Sequence, residues 1–523
     1  MRQPARIKSR RGQVSRTHSG PAPIKGWNSR DSVAMMRPTE AVQLTNWFPT
    51  TSDVQLRKGS ATHATSIEDS GAAQVETLIS YRPPSGSHEL WAFAGTKLFE
   101  ATATGAVGAA TVTGLTNARW QALNFTTAGG NFVLAVNGVD KLHLYDGASW
   151  AAIDGVSTPA ITGVATTALV NLNVFKERVW YVEKDSMSIW YSGVGAFAGA
   201  LTELDLGSVF KRGGYLMAMG TWTVDGGQGI DDLAVFITSQ GEVAVYSGTN
   251  PASSTTWALV GIYHIGAPLG RRCVHKYGGD LLILTLDGVV PASKAFAADR
   301  VSSAVAISDR ISGAMGDAAE LYGSTFGWEI ALYPKGGALI INIPKAANAQ
   351  VQYVMNTTTG AWCDFTGWTA NTFEVHNDEL YFGMLGEVRK AWTGTSDVGA
   401  NIVGEAIGAF DYFGNRNGQK HLKLYRPVIG WDSNPTEFLV GVDADFVVQT
   451  PTGAIALSAG SGGVWDTSLW DTGLWGGDVR LNTLWYTVFA MGYALAPHIR
   501  VSSNAAVVKW AANDYIYEPG SFL

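Results

Sequence analysis

The sequence predicts an all-β protein: a β-propeller of six or seven blades, with an N-terminal extended anchoring segment and a C-terminal antiparallel β domain. Three observations support this. Short aromatic and aliphatic strands, each followed by a Gly, Asn or Asp turn, recur along the middle of the 523-residue chain. The chain holds 61 Gly, 19 Trp, 18 Tyr and 20 Phe, which is typical of tight turns packed against large rings. Only 15% of its residues are charged, below the ~25% of an average soluble domain.

The repeat that predicts the propeller lies between about residues 76 and 395. Successive apolar marker residues are 42, 47, 54, 48, 49 and 50 positions apart. The markers are Leu90, Phe132, Val179, Leu233, Leu281, Ile330 and Leu380. A period of this length with several strands per unit indicates radial blades that cover each other's faces. The alternative is a β-sandwich or β-stack with accidental spacing, since the signatures of WD and kelch repeats are missing. One short helix is predicted at Ser312–Tyr322, weakened by two glycines.

The start of the chain, residues 1–25, is predicted to be a basic flexible arm. Residues 1–30 contain no acid, and the remaining residues hold 29 basic against 44 acidic side chains, a formal charge of −15. The basic residues are Arg2, Arg6, Lys8, Arg10, Arg11, Arg16, Lys25 and Arg30. Two interpretations stay open: a solvated terminus, or an arm that docks on an acidic neighbour or on nucleic-acid phosphate.

Residues 26–75 are predicted to form an anchoring segment that mixes apolar residues with turn formers. It opens with G-W-N-S-R-D-S-V-A-M-M, continues with P-x-E-A-V-x-L-x-N-W-F-P, and ends in V-x-L-R-K-G. The candidate partner-binding residues of the arm and anchor are Arg2, Arg6, Lys8, Arg10, Arg11, Arg16, Trp27, Arg30, Asp31, Trp47 and Phe48. Large apolar side chains beside turns are suited to anchoring one protein on another.

The order of these motifs over residues 26–65 resembles the opening of tail nozzle or hub proteins of short-tailed bacteriophages, also called head-stabilising or head-to-tail connector proteins. The resemblance implies a virion structural protein that assembles in the host cytoplasm and forms a homo-oligomeric ring, usually hexameric. Such a ring lies below the phage portal and adaptor proteins and carries tail fibre or spike proteins. Genomic DNA would pass through its channel without specific binding, and an acidic bore would favour that passage because it repels phosphate.

The tail of the chain, residues 396–523, is predicted to be a separate antiparallel β domain. Strands are predicted at 408–413, 421–425, 428–431, 437–442 and 499–501, and a Gly, Ser and Ala-rich loop at 449–463. The uncharged stretch 481–497 is shorter than the ~20 apolar residues of a membrane-spanning helix. It is interpreted as a buried strand, and we expect no stable membrane insertion. The basic arm is not followed by the apolar region of a secretory signal.

Between those strands, tryptophans recur every five residues, at Trp465, Trp470 and Trp475. A strand would place Trp470 on the opposite face from its neighbours, so a run of turns is the better interpretation. The three indoles could stack on sugars or bases, or fill an interface or core. The second use is favoured, and these residues are candidate interface aromatics.

Signatures of catalysis, cofactor binding and metal binding are missing from the sequence. It has no His-Glu-x-x-His motif, no Gly-x-Ser-x-Gly elbow, no phosphate loop and no sialidase Asp box. Asp443 and Asp445, like Asp225, Asp231 and Asp232, lack the spacing of a calcium loop. Cys273 and Cys363 are expected to be reduced and buried. We therefore expect no enzyme, cofactor or metal. The other function classes are a propeller-type carbohydrate-binding or depolymerase tail protein, and a cellular propeller scaffold.

Overall fold

The structure, a computed structural model, describes residues 14–68, 73–225, 230–296, 305–454, 480–482 and 484–520. The chain divides into two compact units. We call residues 58–398 the propeller unit, and residues 1–57 together with 399–523 the terminal unit.

Strands dominate both units, and in chain order they are β1 (Arg16–Pro21), β2 (Ala41–Thr45), β3 (Trp47–Pro49), β4 (Val54–Leu56), β5 (Ser60–Thr65), β6 (Val75–Tyr81), β7 (Glu89–Ala94), β8 (Lys97–Glu100), β9 (Gly105–Ala106), β10 (Val112–Thr113), β11 (Gln121–Thr127), β12 (Gly130–Val136), β13 (Leu142–Tyr145), β14 (Trp150–Ile153), β15 (Ile161–Thr162), β16 (Leu169–Phe175), β17 (Arg178–Glu183), β18 (Ser188–Tyr191), β19 (Gly199–Ala200), β20 (Thr202–Asp205), β21 (Leu216–Asp225), β22 (Ile230–Thr238), β23 (Glu242–Gly248), β24 (Trp257–His264), β25 (Val274–Tyr277), β26 (Asp280–Thr285), β27 (Gly288–Pro291), β28 (Glu329–Tyr333), β29 (Ala338–Pro344), β30 (Gln350–Asn356), β31 (Trp362–Phe365), β32 (Thr372–His376), β33 (Glu379–Gly383), β34 (Val388–Ala391), β35 (Ile402–Gly408), β36 (Lys420–Trp431), β37 (Glu437–Ala444), β38 (Gly453–Ala454), β39 (Arg480–Leu481), β40 (Tyr486–Thr487), β41 (Met491–Gly492), β42 (Leu495–Ser503) and β43 (Val508–Pro519). The α-helices are α1 (Ala292–Ala295) and α2 (Ser312–Tyr322), and short 3-10 turns lie at Val33–Met35, Thr166–Ala168, Asp309–Ile311 and Pro334–Gly336.

In its described residues the propeller unit contains seven antiparallel sheets, whose strands lie close together in the chain except for β5 in the last sheet. Their orders are β6-β7-β8-β10, β11-β12-β13-β14, β16-β17-β18-β20, β21-β22-β23-β24, β25-β26-β27, β28-β29-β30-β31 and β32-β33-β34-β5. The first strand of each sheet contacts the first strand of the next, and β32 contacts β6. The sheets therefore close into a ring, and the unit is a seven-bladed β-propeller.

The ring closes through a strand from the start of the unit. β5 pairs antiparallel with β34, so that Ser60 lies opposite Ala391 and the first and last strands of the unit share one blade. Just before β5, Gly59 donates its backbone N–H to Gly394 (3.1 Å). A Cβ atom at Gly59 would lie only 1.9 Å from the carbonyl oxygen of Ser396. The glycine of the V-x-L-R-K-G motif is therefore required by this close approach of two backbones.

Apolar clusters fill the spaces between neighbouring blades. Between the third and fourth sheets, for example, Trp180 of β17 stacks on Trp257 of β24 at 5.6 Å between ring centroids, and both pack with Phe236 of β22. Each blade is thus covered on its faces by the next one, which explains why the sequence repeats long aromatic side chains once or twice per blade.

The predicted propeller is confirmed, and its blade number is seven. Six of the seven marker residues lie on the second strand of their sheet, while Ile330 lies on the first strand, β28, of the sixth. The gaps of 42 and 54 residues join markers on equivalent second strands, so the irregular spacing reflects blades and loops of different length. The predicted helix at Ser312–Tyr322 is present as α2.

The terminal unit is built from two antiparallel sheets. One has the order β3-β4-β43-β36-β39, with β1 also paired to β43 and both β40 and β41 paired to β36. The other has the order β2-β35-β42-β37-β38. Trp431 of the first sheet meets Phe438 of the second edge-on at 5.6 Å. The predicted antiparallel β domain therefore includes strands from the N-terminal segment.

Five details differ from the sequence pattern. The arm expected to be flexible over residues 1–25 is wrong in part, because Arg16–Pro21 form β1, which pairs with β43. The strand expected at 408–413 is wrong, because β35 ends at Gly408. The segment 26–75 is not one piece: residues 26–57 belong to the terminal unit and 58–75 to the propeller unit. The strands expected at 421–425 and 428–431 form the single strand β36. The buried strand expected at 481–497 is wrong, because β36 is paired there only by short pieces and Phe489 is 88% exposed. Asn482 interrupts the ladder by donating its side-chain N–H to the carbonyl of Pro427 (3.1 Å).

Candidate functional site

Two regions could carry function, and the first is the N-terminal arm and anchor. Arg2, Arg6, Lys8, Arg10 and Arg11 lie outside the described residues. Arg16 begins β1, opposite Tyr517, with its side chain exposed.

Strand β1 is held to the terminal unit by polar contacts. His18 Nε2 lies 3.0 Å from Asp411 Oδ2, and its ring stacks on Phe413 at 4.2 Å. Ser19 donates its hydroxyl to Asp514 (2.6 Å). Val14, before β1, is 79% exposed, so the chain enters β1 from the surface. A basic arm that precedes β1 therefore starts from a fixed and exposed point.

The G-W-N-S-R-D motif forms a turn around Asn28, whose side chain is 1% exposed. Asn28 donates to Asp31 (2.9 Å) and to the buried Glu40 (3.1 Å), and it accepts the backbone N–H groups of Arg30 and Asp31 (both 3.0 Å). Arg30 pairs with Asp31, Nε to Oδ1, at 2.8 Å. The motif is thus an asparagine-centred turn that fixes the start of β2, with Arg30 at its surface.

The aromatic residues of the anchor differ in accessibility. Trp47 is fully buried in β3 and meets Trp510 edge-on at 6.2 Å, so it packs in the core of the terminal unit. Trp27 is half-buried and bridges to Ala41, and Phe48 is half-buried in β3. Because Trp47 is closed to solvent, a partner that docks on the folded unit would meet Arg16, Trp27 and Arg30 rather than Trp47.

The other sequence candidates offer no site in the part of the chain that the structure describes. Trp465, Trp470 and Trp475 lie outside it, as do the side chains of Asp225 and Asp231. Asp443 is buried and bonds His498 Nδ1 (3.0 Å), and Asp445 accepts the backbone N–H of Tyr493 (2.6 Å). Among the described residues, no group of three or more His, Cys, Asp or Glu side chains is placed to hold a metal ion.

The second region is a cavity on the propeller axis, which the sequence pattern did not indicate. It has a volume of about 400 Å³ and is lined by residues of all seven first strands, β6, β11, β16, β21, β25, β28 and β32. We call it the axial cavity. A further cavity of about 460 Å³ shares Arg82, His275, Glu329 and Glu374 with it, and one of about 340 Å³ shares Gln121, Arg271 and Arg272.

Arg272 crosses the axis of the propeller. It precedes the fifth blade, yet its Nη2 donates to the Thr77 hydroxyl (2.7 Å) and the Glu76 carbonyl (2.9 Å) at the first blade, and lies 3.2 Å from the Trp120 carbonyl beside the second. Its Nη1 pairs with Glu329 of the sixth blade at 3.3 Å. One side chain thus joins four blades. The Phe326 ring covers the Arg272 guanidinium, whose central carbon lies 5.2 Å from the ring centroid.

Two carboxyl groups of the axial cavity have raised pKa values. Burial raises the pKa of Glu329, although Arg272 beside it acts in the opposite direction. Burial also raises the pKa of Glu374 to about 7, against the opposing charge of Arg82, with which it forms an ion pair. Burial lowers the pKa of His376 to about 4, and Ser80 bonds its Nδ1 at 2.8 Å. Glu329 and Glu374 adjoin each other because first strands converge at the axis of a propeller, a relation that spacing along the chain does not reveal.

In the described residues, the longest helix has 11 residues, and no helix meets the length and hydropathy needed to cross a bilayer.

Comparisons with known proteins leave the family open. No family profile and no curated protein matches the chain. Two partly similar solved structures are BBS1N in complex with ARL6DN (14% identity, TM-score 0.28, 42% of this chain and 62% of that chain) and Raptor from Chaetomium thermophilum (10% identity, TM-score 0.36, 64% of this chain and 28% of that chain). The chain spans less than two thirds of either protein, and similarity this low carries no argument about function.

Proposed function

We propose that this protein is a tail nozzle or hub subunit of a short-tailed bacteriophage, which forms a ring that extends the DNA exit channel below the portal and adaptor. The observation that carries the proposal is the ordered motif of residues 26–65. Its asparagine turn belongs to the terminal unit, and its final glycine precedes the strand that closes the propeller. The motif therefore contributes residues to both units of the fold, as a motif that is characteristic of this two-unit architecture would.

The charge distribution supports the same proposal. Residues 31–523 carry a formal −15, so a bore lined by this body would repel DNA phosphate. The propeller axis is not such a bore, because Arg272 crosses it and joins four blades. A DNA channel would therefore lie between subunits of a ring. The basic arm would contact an acidic neighbouring ring, where several arms together add affinity.

Exposed apolar side chains on the terminal unit give a surface for subunit contacts. They are Phe446, Val447, Val448, Leu481, Leu484, Phe489, Met491 and Tyr493, each more than 40% exposed. Asp445 links their two segments, because its Oδ1 accepts the backbone N–H groups of Tyr493 and Ala494 (2.6 and 3.0 Å). An apolar surface of this kind is typical of an interaction site. We assign it to the ring contact between copies.

Negative-stain class averages of the purified protein test the ring. We expect rings with a central hole, alone or after mixing with heads that carry the adaptor but lack the nozzle. Phe489→Ser should reduce ring formation, whereas Val156→Ser, at an equally exposed valine of the propeller unit (91%), should not. Single particles that never join a ring under either condition would refute the proposal.

The arm has its own experiment. A variant in which Arg2, Arg6, Lys8, Arg10 and Arg11 are all replaced by Gln keeps the length of the arm and removes its charge. We expect it to form rings but to attach less well to adaptor-bearing heads. Removal of residues 1–13 should have the same effect and leaves β1 in place. If both variants attach as well as the wild type, the arm has no docking role.

The second candidate function is a propeller-type carbohydrate-binding or depolymerase tail protein. The axial cavity favours it, since Glu374 has a pKa of about 7 and lies near enough to Glu329 for their charges to interact. Two neighbouring carboxyl groups, one of them with a pKa near neutral pH, are suited to glycoside cleavage. Polysaccharide cleavage that is lost in Glu374→Gln, by a protein that forms no ring, would favour this candidate.

A further inference from the structure

The axial cavity is lined by more basic than acidic residues, whereas the unit around it is acidic. Residues 58–398 hold 20 basic and 30 acidic side chains, so the unit as a whole is acidic. The cavity is lined by the cations Arg82, Arg271, Arg272 and Lys276 and by the two acids Glu329 and Glu374. Burial raises the pKa of Glu374 to about 7, so its negative charge is reduced further at neutral pH, and burial also raises the pKa of Glu329. The cavity is therefore a positive site in a negative body.

Several hydrogen-bond donors of the cavity have no protein acceptor. The partly buried His275 and Gln121 line it without a hydrogen bond or ion pair to any described residue, and so does Lys276, which is also exposed to solvent. Arg271 is held over the Tyr215 ring at 5.6 Å and gives Nη1 to the carbonyls of Leu216 (3.5 Å) and Met217 (3.3 Å), so its other N–H groups remain for a ligand. Burial lowers the pKa of His275, which keeps the ring neutral near pH 7.

We propose that the axial cavity binds a small oxyanion, a phosphate or carboxylate group, held by Lys276, Arg271 and Gln121. The unfilled groups are mainly donors, and oxyanions offer acceptors without competing donors. A volume of about 400 Å³ is within the usual range of ligand sites, roughly 300–1,000 Å³.

The site adjoins the 460 Å³ cavity on the side of Arg82, whose side chain is 46% exposed, and a small molecule can enter there. On the other side, Arg272 crosses the axis and Phe326 covers it. The site therefore admits small molecules and excludes a nucleic-acid duplex. This inference does not depend on the proposed nozzle function.

Isothermal titration of the full-length protein tests the proposal with three probes: inorganic phosphate, glucuronate and glucose. Glucuronate and glucose differ in the carboxylate alone. We expect saturable binding of phosphate, of glucuronate or of both, and none of glucose. Phosphate alone would indicate a phosphate site, and glucuronate alone a carboxylate site. If neither anion binds saturably, or glucose binds as well as glucuronate, the proposal is wrong.

Variants locate the binding. Lys276→Gln should weaken anion binding about tenfold, because a hydrogen bond to a charged group is lost. Lys294→Gln is the matched control, since Lys294 is exposed on α1 and does not line the cavity. Gln121→Leu, which removes a neutral donor, should weaken binding less but measurably. Unchanged binding in Lys276→Gln and Gln121→Leu, or an equal loss in Lys294→Gln, would place the anion elsewhere and overturn the proposal.

Discussion

Replacing Arg272 by Met is the sharpest test of how the propeller is held together at its axis. The side chains of Arg272 and Glu329 are only 10% and 14% exposed, and the guanidinium also bonds Thr77 and two backbone carbonyls. Removing the cation leaves a buried carboxylate without its partner. Such a loss costs about 3–5 kcal/mol of the free energy of unfolding, a large share of the ~5–15 kcal/mol of a typical domain.

Urea unfolding of the full-length protein, followed by tryptophan fluorescence, measures this cost. The matched control is Arg119→Met, which removes another arginine that stacks on Phe326 (4.5 Å) but pairs with Glu76 at the surface, where Arg119 is 53% exposed. The control should lose less than ~1 kcal/mol, because exposed ion pairs contribute little. The double variant Arg272→Met/Glu329→Gln should recover about 2 kcal/mol relative to Arg272→Met, since no charge is then stranded.

The cost should also depend on pH. Without Arg272 the pKa of Glu329 rises further, so the carboxyl is neutral over a wider range and Arg272→Met should lose less stability at low pH than at high pH. If Arg272→Met costs no more than Arg119→Met, or if the double variant is no more stable than the single one, Arg272 does not hold the axis as argued.

Three other changes test separate parts of the fold. Gly59→Ala should lower the free energy of unfolding, measured by thermal unfolding, by about 1–3 kcal/mol, because its Cβ would overlap the Ser396 carbonyl oxygen at 1.9 Å. The control Gly316→Ala meets nothing within 4 Å in α2 and should raise the free energy of unfolding by about 0.5–1 kcal/mol. Glu374 has a pKa of about 7 in the folded protein against 4.5 ordinarily, so the folded state binds a proton that the unfolded state releases, and the free energy of unfolding should fall as the pH rises from 4.5 to 7. Glu374→Gln should flatten this pH dependence. An unchanged pH dependence in the variant would show that Glu374 is not its cause. Asn28→Asp places a third carboxylate beside Asp31 and Glu40. It should destabilise the terminal unit by about 1–3 kcal/mol at pH 7 and by less at pH 4. An equal loss of stability at the two pH values would show that charge is not the cause.

The repeat of strands and turns was sufficient to predict the propeller, because each blade needs the same alternation of apolar strands and tight turns. All seven marker residues lie in strands, and six of them lie on equivalent strands. Each blade contains one marker, but the spacing does not show which markers occupy equivalent strands, so the sequence left six or seven blades open. The last blade also takes β5 from the other end of the unit, and pairing between distant strands leaves no local signal.

The same contrast holds for the candidate sites. The sequence alone determined the all-β class, the basic arm on an acidic body, the helix Ser312–Tyr322 and the motif that starts at Gly26, because these depend on composition and on neighbours along the chain. The tertiary structure decided that Trp47 is a core residue, that both ends of the chain build one unit, and that Arg272 spans four blades. It also brought Arg82, Lys276 and Glu374 into one cavity. Residues that are far apart in sequence meet there because the first strands of all seven blades converge on the axis, and only ring closure creates that axis.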